Sequence, residues 1–256
     1  MENKKIVMIG CGNVASYFAE RFKLLNYTIT QVYHPELSKA EAFSQAFSAT
    51  AFDNLHQISN NADIYFIAVK DSAIEAVANQ IPSNTGIVMH SSGAVKIEVL
   101  NKHKRAAVFY PLQTFTKGIK MANENFPIFI ECNEKADESY LSTLAFSIGN
   151  SVHFLNSNQR TAIHLAAVFA ANFSNHCIKI AYDLMQANKF EAAMLLPLIK
   201  EGINKLNYIA PAKAQTGPAI RHDESTIEKH LEMLHNDDSL KLIYEQITKH
   251  IQSSNS

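Results

Sequence analysis

The stretch that decides the fold is Ile6-Val7-Met8-Ile9-Gly10-Cys11-Gly12-Asn13-Val14-Ala15, close to the start of a 256-residue chain. Its four consecutive apolar residues predict a strand that is buried on both faces, as in a parallel sheet. A G-x-G-x-x-A pattern follows at once. Apolar residues then recur at helical spacing, at Val14, Tyr17, Phe18, Phe22 and Leu25. A glycine-rich turn between a strand and a helix is the setting of a dinucleotide-binding loop.

Each position of this loop has a physical reason. Gly10 permits the tight turn, Gly12 lets the backbone approach a pyrophosphate, and Ala15 keeps the helix close to the strand. The helix N-terminus offers free N–H groups and a partial positive charge. We therefore assign cofactor binding to a run of five residues: Gly10, Cys11, Gly12, Asn13 and Val14. A tight structural turn without a ligand is the alternative, and Cys11 is interpreted as a small filler residue rather than a reactive thiol.

Further β-rich runs alternate with helical stretches as far as residue 155. These runs are Thr28–Tyr33, Ile64–Val69, Gly86–His90, Ala106–Phe109 and Pro127–Ile130. Such alternation predicts βαβ units and a doubly wound parallel sheet, here over residues 1–155. The chain is therefore predicted to be an α/β protein of the Rossmann type in its N-terminal part.

Residues 156–256 are predicted to form an all-α domain. Residues 160–187 contain neither Gly nor Pro and are apolar around most of the helical circumference, which predicts a largely buried helix. Further helices are expected at about 190–208, 224–236 and 238–252.

Composition excludes several classes of protein. Apolar residues make up 47% of the chain, and 23 Lys plus Arg nearly balance 24 Asp plus Glu, which argues against a dedicated nucleic-acid binder. No apolar run is long enough to span a membrane. Three widely spaced cysteines indicate a reducing cytoplasm. The histidines show no ligand spacing, so we expect no metal.

The identity of the dinucleotide depends on the end of the second strand, which reads Tyr33-His34-Pro35-Glu36-Leu37-Ser38-Lys39. NAD-binding proteins usually carry an acidic residue there for the ribose hydroxyls, whereas NADP-binding proteins accommodate a phosphate. No carboxylate stands at Tyr33 or His34, and His34 and Lys39 are able to face a phosphate. The pattern favours NADP over NAD, with Glu36 as the residue that favours NAD.

Five segments carry a resemblance to known oxidoreductases. They are Ala62–Asp71, His90–Gly93, Tyr110–Phe115, His164–Phe173 and the Q-T-G-P-A-x-R-x-D stretch at Gln215–Asp223. The first resembles pyrroline-5-carboxylate reductases, β-hydroxyacid dehydrogenases and deazaflavin-dependent NADP reductases. Together they resemble two-domain Rossmann-like oxidoreductases with a helical C-terminal domain of unknown function, the DUF2520 type. The resemblance implies the fold and an NADP-type cofactor, but no substrate.

In such folds the strand ends face the cofactor. This places Ala68, Val69 and Lys70 beside the ribose, although a solvated loop lysine is an equal alternative for Lys70. It places the run His90, Ser91, Ser92 and Gly93 on the nicotinamide side.

The helix after residue 160 carries a polar stripe. At 100° per residue, one third of its circumference holds His164, Asn172, Asn175, His176, Lys179 and Asp183. The stripe faces either water or a polar cleft. Related dehydrogenases place a catalytic Lys or His and an Asn on this helix, which favours the cleft. His164 and Asn172 are about 12 Å apart along a regular helix, however, too far for one substrate atom to contact both.

A second polar cluster follows at residues 215–223, where Gly217 and Pro218 argue against an uninterrupted helix. Gln215 and Thr216 are candidates for orienting a substrate. Arg221 is suited to a bidentate grip on a carboxylate, although it could equally pair with Asp223 and only fix the loop. From the first domain, Gln113 and Thr114 could close the cleft.

These patterns predict an NADP-dependent oxidoreductase that moves a hydride to or from a small carbonyl or imine compound held between the domains. His164 is the first choice for handling the proton, and the orienting residues are Asn172, Gln215, Thr216 and Arg221. Because no unambiguous acid–base pair is visible, a non-catalytic dinucleotide-binding sensor or scaffold is the alternative. The apolar helix at 160–187 also predicts a homodimer.

Overall fold

Eight strands form one sheet in the first part of the chain. The structure is a computed structural model, and it describes residues 4–121, 124–149 and 151–254. The strands are β1 (Lys5–Ile9), β2 (Thr28–Tyr33), β3 (Thr50–Phe52), β4 (Ile64–Ile67), β5 (Ile87–His90), β6 (Ala106–Pro111), β7 (Pro127–Cys132) and β8 (Ser151–Phe154). Every predicted strand is present, which confirms the α/β fold class.

The strand order is β3-β2-β1-β4-β5-β6-β7-β8. All neighbouring pairs are parallel except β6 and β7, which are antiparallel. The expectation of a wholly parallel sheet is therefore corrected at one pair. The described part of the connection between these two strands contains no helix to carry the chain back across the sheet. β3 and β8 are short strands at the two edges of the sheet and were not predicted from the sequence.

Burial on both faces of the sheet explains the unbroken apolar runs. In β1, Ile6 and Met8 belong to one core cluster, whereas the alternate residues Val7 and Ile9 belong to another. The first cluster includes the aromatic rings of Phe18 and Phe22 from α1 (Asn13–Leu24), and the second is covered by α3 (Ile74–Gln80). The remaining helices of this part are α2 (Leu37–Ser44) and α4 (Glu138–Ile148).

Helices follow the last strand, and the described residues after Phe154 contain no strand. They are α5 (Ser157–Ala167), α6 (Ser174–Ala187), α7 (Leu196–Asn204), α8 (Pro211–Ala214), α9 (Glu224–Met233) and α10 (Asp238–Ser254). Among the described residues, no helix combines the length and the apolar character needed to cross a membrane. Contacts divide the chain into compact units at 1–175 and 176–256, so α5 belongs to the unit that holds the sheet.

A π-helical segment, Val168–Phe173, joins α5 to α6. The sequence pattern predicts an unbroken α-helix here, and the π-helical segment corrects that expectation. The Ser174 hydroxyl donates to the carbonyl of Phe169, five residues earlier, at 3.0 Å. This bond gives a partner to one of the carbonyl groups of the π-helical segment. The expected burial of this helix is wrong for the single chain, because Leu165, Phe169 and Phe173 are 59%, 61% and 50% exposed.

Candidate active site

A groove of about 800 Å³ lies where the strand order reverses between β1 and β4. In open α/β sheets this crevice, beyond the carboxyl ends of the strands, is where ligands bind. All predicted cofactor residues except His90 line it: Gly10, Cys11, Gly12, Asn13, Val14, Tyr33, His34, Ala68, Val69, Lys70, Ser91, Ser92 and Gly93. The structure thus brings four separate segments of the sequence to one groove.

The two glycines of the loop are required for different reasons, Gly10 by the fold and Gly12 by the space that it leaves in the groove. Gly10 has a φ of +111°, and a Cβ atom there would lie 2.3 Å from the Ala68 carbonyl oxygen. It is therefore needed by the fold, because β1 and β4 approach each other closely at this point. A Cβ on Gly12 would meet no atom within 4 Å, and it would project from a loop that lines the groove. Gly12 keeps open a space that the protein itself leaves unfilled, as a pyrophosphate requires.

The N-terminus of α1 also suits an anion. Its N-cap is Gly12, with no side chain capping the first turn, and no acidic residue lies in that turn. Cys11 is not a reactive thiol: burial raises its pKa to about 11, and its Sγ donates to the Tyr33 carbonyl at 3.9 Å. The Asn13 amide oxygen is engaged with the backbone N–H of Lys117, which fixes the loop after β6 over the helix.

The end of β2 carries no carboxylate, as the sequence showed. His34 and Lys39 line the groove together with Lys70. Glu36 is turned toward Lys39, with an Nζ to Oε1 distance of 2.7 Å, and its own N–H donates to His34 Nδ1. This ion pair lowers the pKa of the Glu36 carboxyl. The carboxylate that favoured NAD is thus partly neutralised, and the residues present fit the phosphate of NADP.

The prediction that His90 lies on the nicotinamide side of the groove is wrong for its side chain. Its side chain is fully buried and does not line the groove. Burial, assisted by the charge of Arg160, lowers its pKa to about 3, so the ring is neutral. Its Nδ1 accepts the N–H of Ser92 at 3.2 Å, and the Ser92 hydroxyl accepts the N–H groups of Ala94 and Val95. His90 therefore shapes the loop that bears Ser91 and Gly93.

At the end of the groove, Tyr110 and His164 form a hydrogen-bonded pair. Tyr110 Oη lies 3.2 Å from His164 Nδ1, and the two rings meet edge to face. Gly93 is packed beneath both: a Cβ there would lie 2.6 Å from His164 Nδ1 and 2.8 Å from Tyr110 Cζ. Burial raises the pKa of Tyr110, which therefore stays protonated at neutral pH. His164 was predicted from the sequence as the proton-handling residue, but Tyr110 was not, although it lies in the segment Tyr110–Phe115 that carries part of the resemblance.

A second cavity, of about 670 Å³, begins at the same pair. One wall is the segment after β6, and the other is α5 with its π-helical continuation. The lining consists of Tyr110, Leu112, Gln113, Thr114, Phe115, Ile163, His164, Ala166, Ala167, Ala170, Ala171 and Asn172. Because a π turn holds more residues than an α turn, Asn172 falls closer to the face of His164 than regular spacing places it. One cavity thus brings together His164, Asn172, Gln113 and Thr114.

A buried ion pair anchors α5 to the sheet. Arg160, 1% exposed, pairs with Glu131 of β7 and also donates to the Val95 carbonyl. The same carboxylate accepts the N–H and hydroxyl of Ser157 at the start of α5. These contacts hold the helix that carries His164 against the strand that neighbours Tyr110. This ion pair could not be predicted from the sequence, because its two charges are 29 residues apart in the chain.

The remaining predicted residues lie in the unit formed by residues 176–256. Thr216 lines an aliphatic cavity of about 280 Å³ within that unit, and the Gln215 amide donates to the Thr216 carbonyl. Asp223 caps α9 by accepting from Thr226, which lowers its pKa. That Gln215, Thr216 and Arg221 orient a substrate stays a prediction. Within the described ranges, no group of three or more His, Cys, Asp and Glu residues is placed to hold a metal ion.

Two family models match the chain. The model described as "NADP oxidoreductase coenzyme F420-dependent" matches residues 5–92, and that of the domain of unknown function DUF2520 matches residues 126–251. The first covers the glycine loop and the strand ends of the groove. The second covers β7, β8 and the helices. A comparison with curated proteins found no match.

Solved structures agree with both models. A Bacteroides fragilis protein, provisionally assigned as an NADP oxidoreductase, is 32% identical with a TM-score of 0.91, over 98% of this chain and 99% of its own. A Thermotoga maritima protein is 20% identical, with a TM-score of 0.80 over 97% and 98%. The 1-pyrroline-5-carboxylate reductase of Streptococcus pyogenes shares the fold, at 12% identity and a TM-score of 0.63 over 98% of each chain. The chain therefore belongs to the NADP-dependent oxidoreductases that join an F420-dependent-type NADP domain to a DUF2520 domain.

Proposed function

We propose that this oxidoreductase transfers a hydride between NADP and the carbon of a small C=N or C=O compound bound in the second cavity. One observation carries the proposal: Tyr110 and His164 line both the groove and the second cavity. A compound in the cavity and a dinucleotide in the groove would meet at this pair. A pyrroline-5-carboxylate reductase and an imine reductase share the fold, which agrees with this class of reaction.

The groove residues bind and orient the cofactor. Gly12 and the uncapped start of α1 receive the pyrophosphate. Lys70 supplies positive charge for the phosphate, and Lys39, which also pairs with Glu36, and the His34 ring lie beside it. Ser91 and Gly93 bring the loop after β5 to the reacting end. NADPH, when bound, supplies the hydride, so the protein has to align donor and acceptor carbons and deliver one proton.

The Tyr110–His164 pair supplies that proton. In the reducing direction the Tyr110 hydroxyl gives its proton to the substrate nitrogen or oxygen as the hydride reaches the carbon. His164, through Nδ1, returns a proton to the Tyr110 oxygen and is itself recharged from solvent, since it is the more exposed of the two. The products are an amine or alcohol and NADP⁺. In the oxidising direction the same two groups accept the proton.

The alternative of a non-catalytic sensor was suggested by the lack of an acid–base pair in the sequence. The pair at Tyr110 and His164 removes that reason.

Replacement of Tyr110 tests the proposal. Tyr110→Phe removes one hydroxyl from a buried ring and is expected to lower kcat by about 100-fold or more, with little change in NADPH affinity. The assay is NADPH oxidation with 3,4-dihydroisoquinoline, 2-methyl-1-pyrroline and cyclohexanone as acceptors. Tyr208→Phe is the matched control, because Tyr208 is 86% exposed. His164→Ala should also have a lower kcat, and added imidazole should partly restore it.

Two outcomes would contradict the proposal. If NADPH binds but none of the acceptors is reduced, the cavity does not serve this reaction. If Tyr110→Phe keeps the wild-type kcat, the proton comes from another group.

We also propose that the active molecule is a homodimer. Leu165, Phe169 and Phe173 recur every four residues along one side of the helix and are each at least half exposed in the single chain. Such a row is suited to isologous pairing with a second copy. Light scattering should give about twice the chain mass of 28.5 kDa. Phe169→Ser together with Phe173→Ser should halve it, and a wild-type mass of one chain would refute the dimer.

A further inference from the structure

We propose that the second cavity takes an uncharged substrate with an apolar body, and not a carboxylate such as an α-keto acid or an imino acid. This inference rests on the proposed function, because it concerns the compound that the Tyr110–His164 pair would serve.

The charge of the lining carries the proposal. Among the described residues that line the cavity there is no Asp, Glu, Lys or Arg. Its polar side chains are Tyr110, Gln113, Thr114, His164 and Asn172. The cofactor groove, which shares two of these residues, has four charged ones: Glu36, Lys39, Lys70 and Asp71. Charge is thus confined to the side on which a phosphorylated dinucleotide is expected.

A carboxylate in this cavity would meet no Lys or Arg among the lining residues, and the Gln113, Thr114 and Asn172 side chains offer it only neutral donors. Sites that recognise carboxylates supply Arg, Lys or a helix N-terminus, because removing the anion from water without a partner is costly. Arg160 is close enough for its charge to lower the pKa of Tyr110, against the larger effect of burial. It does not line the cavity, however, and Glu131 already pairs with it. Its charge is therefore not available to a substrate.

The shape of the cavity agrees with an apolar body. Its helical wall presents Ala166, Ala167, Ala170 and Ala171, whose small side chains leave space instead of filling it. A volume of about 670 Å³ is in the range that holds a drug-sized ligand and is generous for a single five-membered ring. Leu112, Phe115 and Ile163 supply apolar contacts. We infer a ring or branched aliphatic substituent beside the reacting C=N or C=O group.

The sequence suggests a rival, since Arg221 is suited to grip a carboxylate. Both hypotheses can be tested with pairs of compounds that share a shape and differ in charge. Suitable pairs are phenylglyoxylate with phenylglyoxylamide, and 3,4-dihydroisoquinoline-1-carboxylate with its carboxamide. Dissociation constants are measured by calorimetry on the full chain saturated with NADP⁺, so the readout does not depend on turnover.

We expect each amide to bind at least about tenfold more tightly than its carboxylate, which is about 1.4 kcal/mol. Gln113→Arg places a cation in the lining and should narrow or reverse this ratio, whereas Gln113→Glu should not. Arg221→Ala should leave the ratio unchanged. NADPH oxidation is then followed with the compounds that bind.

The outcomes separate this inference from the proposed function. Equal affinities, or tighter carboxylates whose advantage is lost in Arg221→Ala, would overturn the uncharged substrate but leave hydride transfer intact. Failure of all four compounds to bind would overturn the assignment of the cavity to this class. Tight amide binding with no NADPH oxidation, also with the unsubstituted imine, would support the binding inference and refute the proposed reaction.

Discussion

The cofactor groove and the second cavity meet at Tyr110 and His164, yet they are built in different ways. The groove consists of short sequence segments that follow consecutive strands, and its lining is charged. The cavity lies between one loop and one helix, and its lining is uncharged. The difference teaches that a parallel sheet places ligand-binding residues at positions that local sequence patterns reveal. Which side chains of a helix line a cavity depends instead on the rotation of the helix about its axis, which local sequence patterns reveal less well.

The groove could be predicted because each of its segments follows a strand. Once Ile6–Ile9 is recognised as a buried strand, its loop and the ends of the next strands must meet at one edge of the sheet. His90 is the exception, and its error is instructive. As the last residue of β5, it points into the core. Alternation along a strand, rather than position at its end, decides which side chains reach the ligand.

Substitution of Gly12 is the sharpest way to break the groove without disturbing the cavity. Gly12→Val adds atoms to open space at a backbone φ of −79°, which valine can adopt. We expect the variant to fold, at a small cost from the poorer N-cap. We expect it to bind NADPH about 100-fold more weakly, or about 2.8 kcal/mol, because the side chain occupies the pyrophosphate space. Fluorescence titration with NADPH measures the loss.

Gly10 and Gly202 provide the contrast for this experiment. Gly10→Ala should lower the free energy of unfolding, because its Cβ would meet the Ala68 carbonyl at 2.3 Å. Gly202→Ala, in α7, has free space and should alter neither binding nor folding in this way. Normal NADPH affinity in a folded Gly12→Val protein would place the dinucleotide elsewhere.

The pH dependence of stability tests whether His90, which shapes the loop after β5, is buried in its neutral form. The pKa of His90 is about 3 in the folded chain and about 6.5 in the unfolded chain, so the unfolded state binds the proton first as pH falls. Stability is therefore complete above about pH 6.5 and is lost below it, by about 1.4 kcal/mol per pH unit, as far as about pH 3. Between pH 7 and pH 5 the loss from His90 should be about 2 kcal/mol.

His90→Gln has no group at this position that binds a proton between pH 7 and pH 5. Urea denaturation should therefore show that its free energy of unfolding falls by about 2 kcal/mol less than that of wild type over this range. Between pH 7 and pH 8 wild type and variant should follow parallel curves, which serves as the internal control. The same acid loss in both proteins would mean that His90 is protonated when folded.

Less of the cavity could be predicted, for physical reasons that particular residues show. His164 and Asn172 were selected from the polar stripe, but regular α-helical geometry set them about 12 Å apart and spoke against a shared site. The π segment at Val168–Phe173 turns Asn172 toward the side of the helix that carries His164, so both line one long cavity, and no pattern in the sequence predicts this segment. Tyr110 was missed because its partner is 54 residues away in the chain.

Gly93 belongs to both sites, because it lines the groove and also packs against both members of the hydrogen-bonded pair Tyr110–His164. In Gly93→Ala the new Cβ would stand 2.6 Å from His164 Nδ1, closer than atoms tolerate, so the imidazole must move. We expect kcat to fall about tenfold, since small displacements of a reacting group are costly. NADPH affinity should change less than about threefold, because the added methyl group faces the pair. If instead NADPH affinity falls and kcat does not, the loop after β5 contributes to cofactor binding alone. Gly93 then belongs to the groove and does not position the Tyr110–His164 pair.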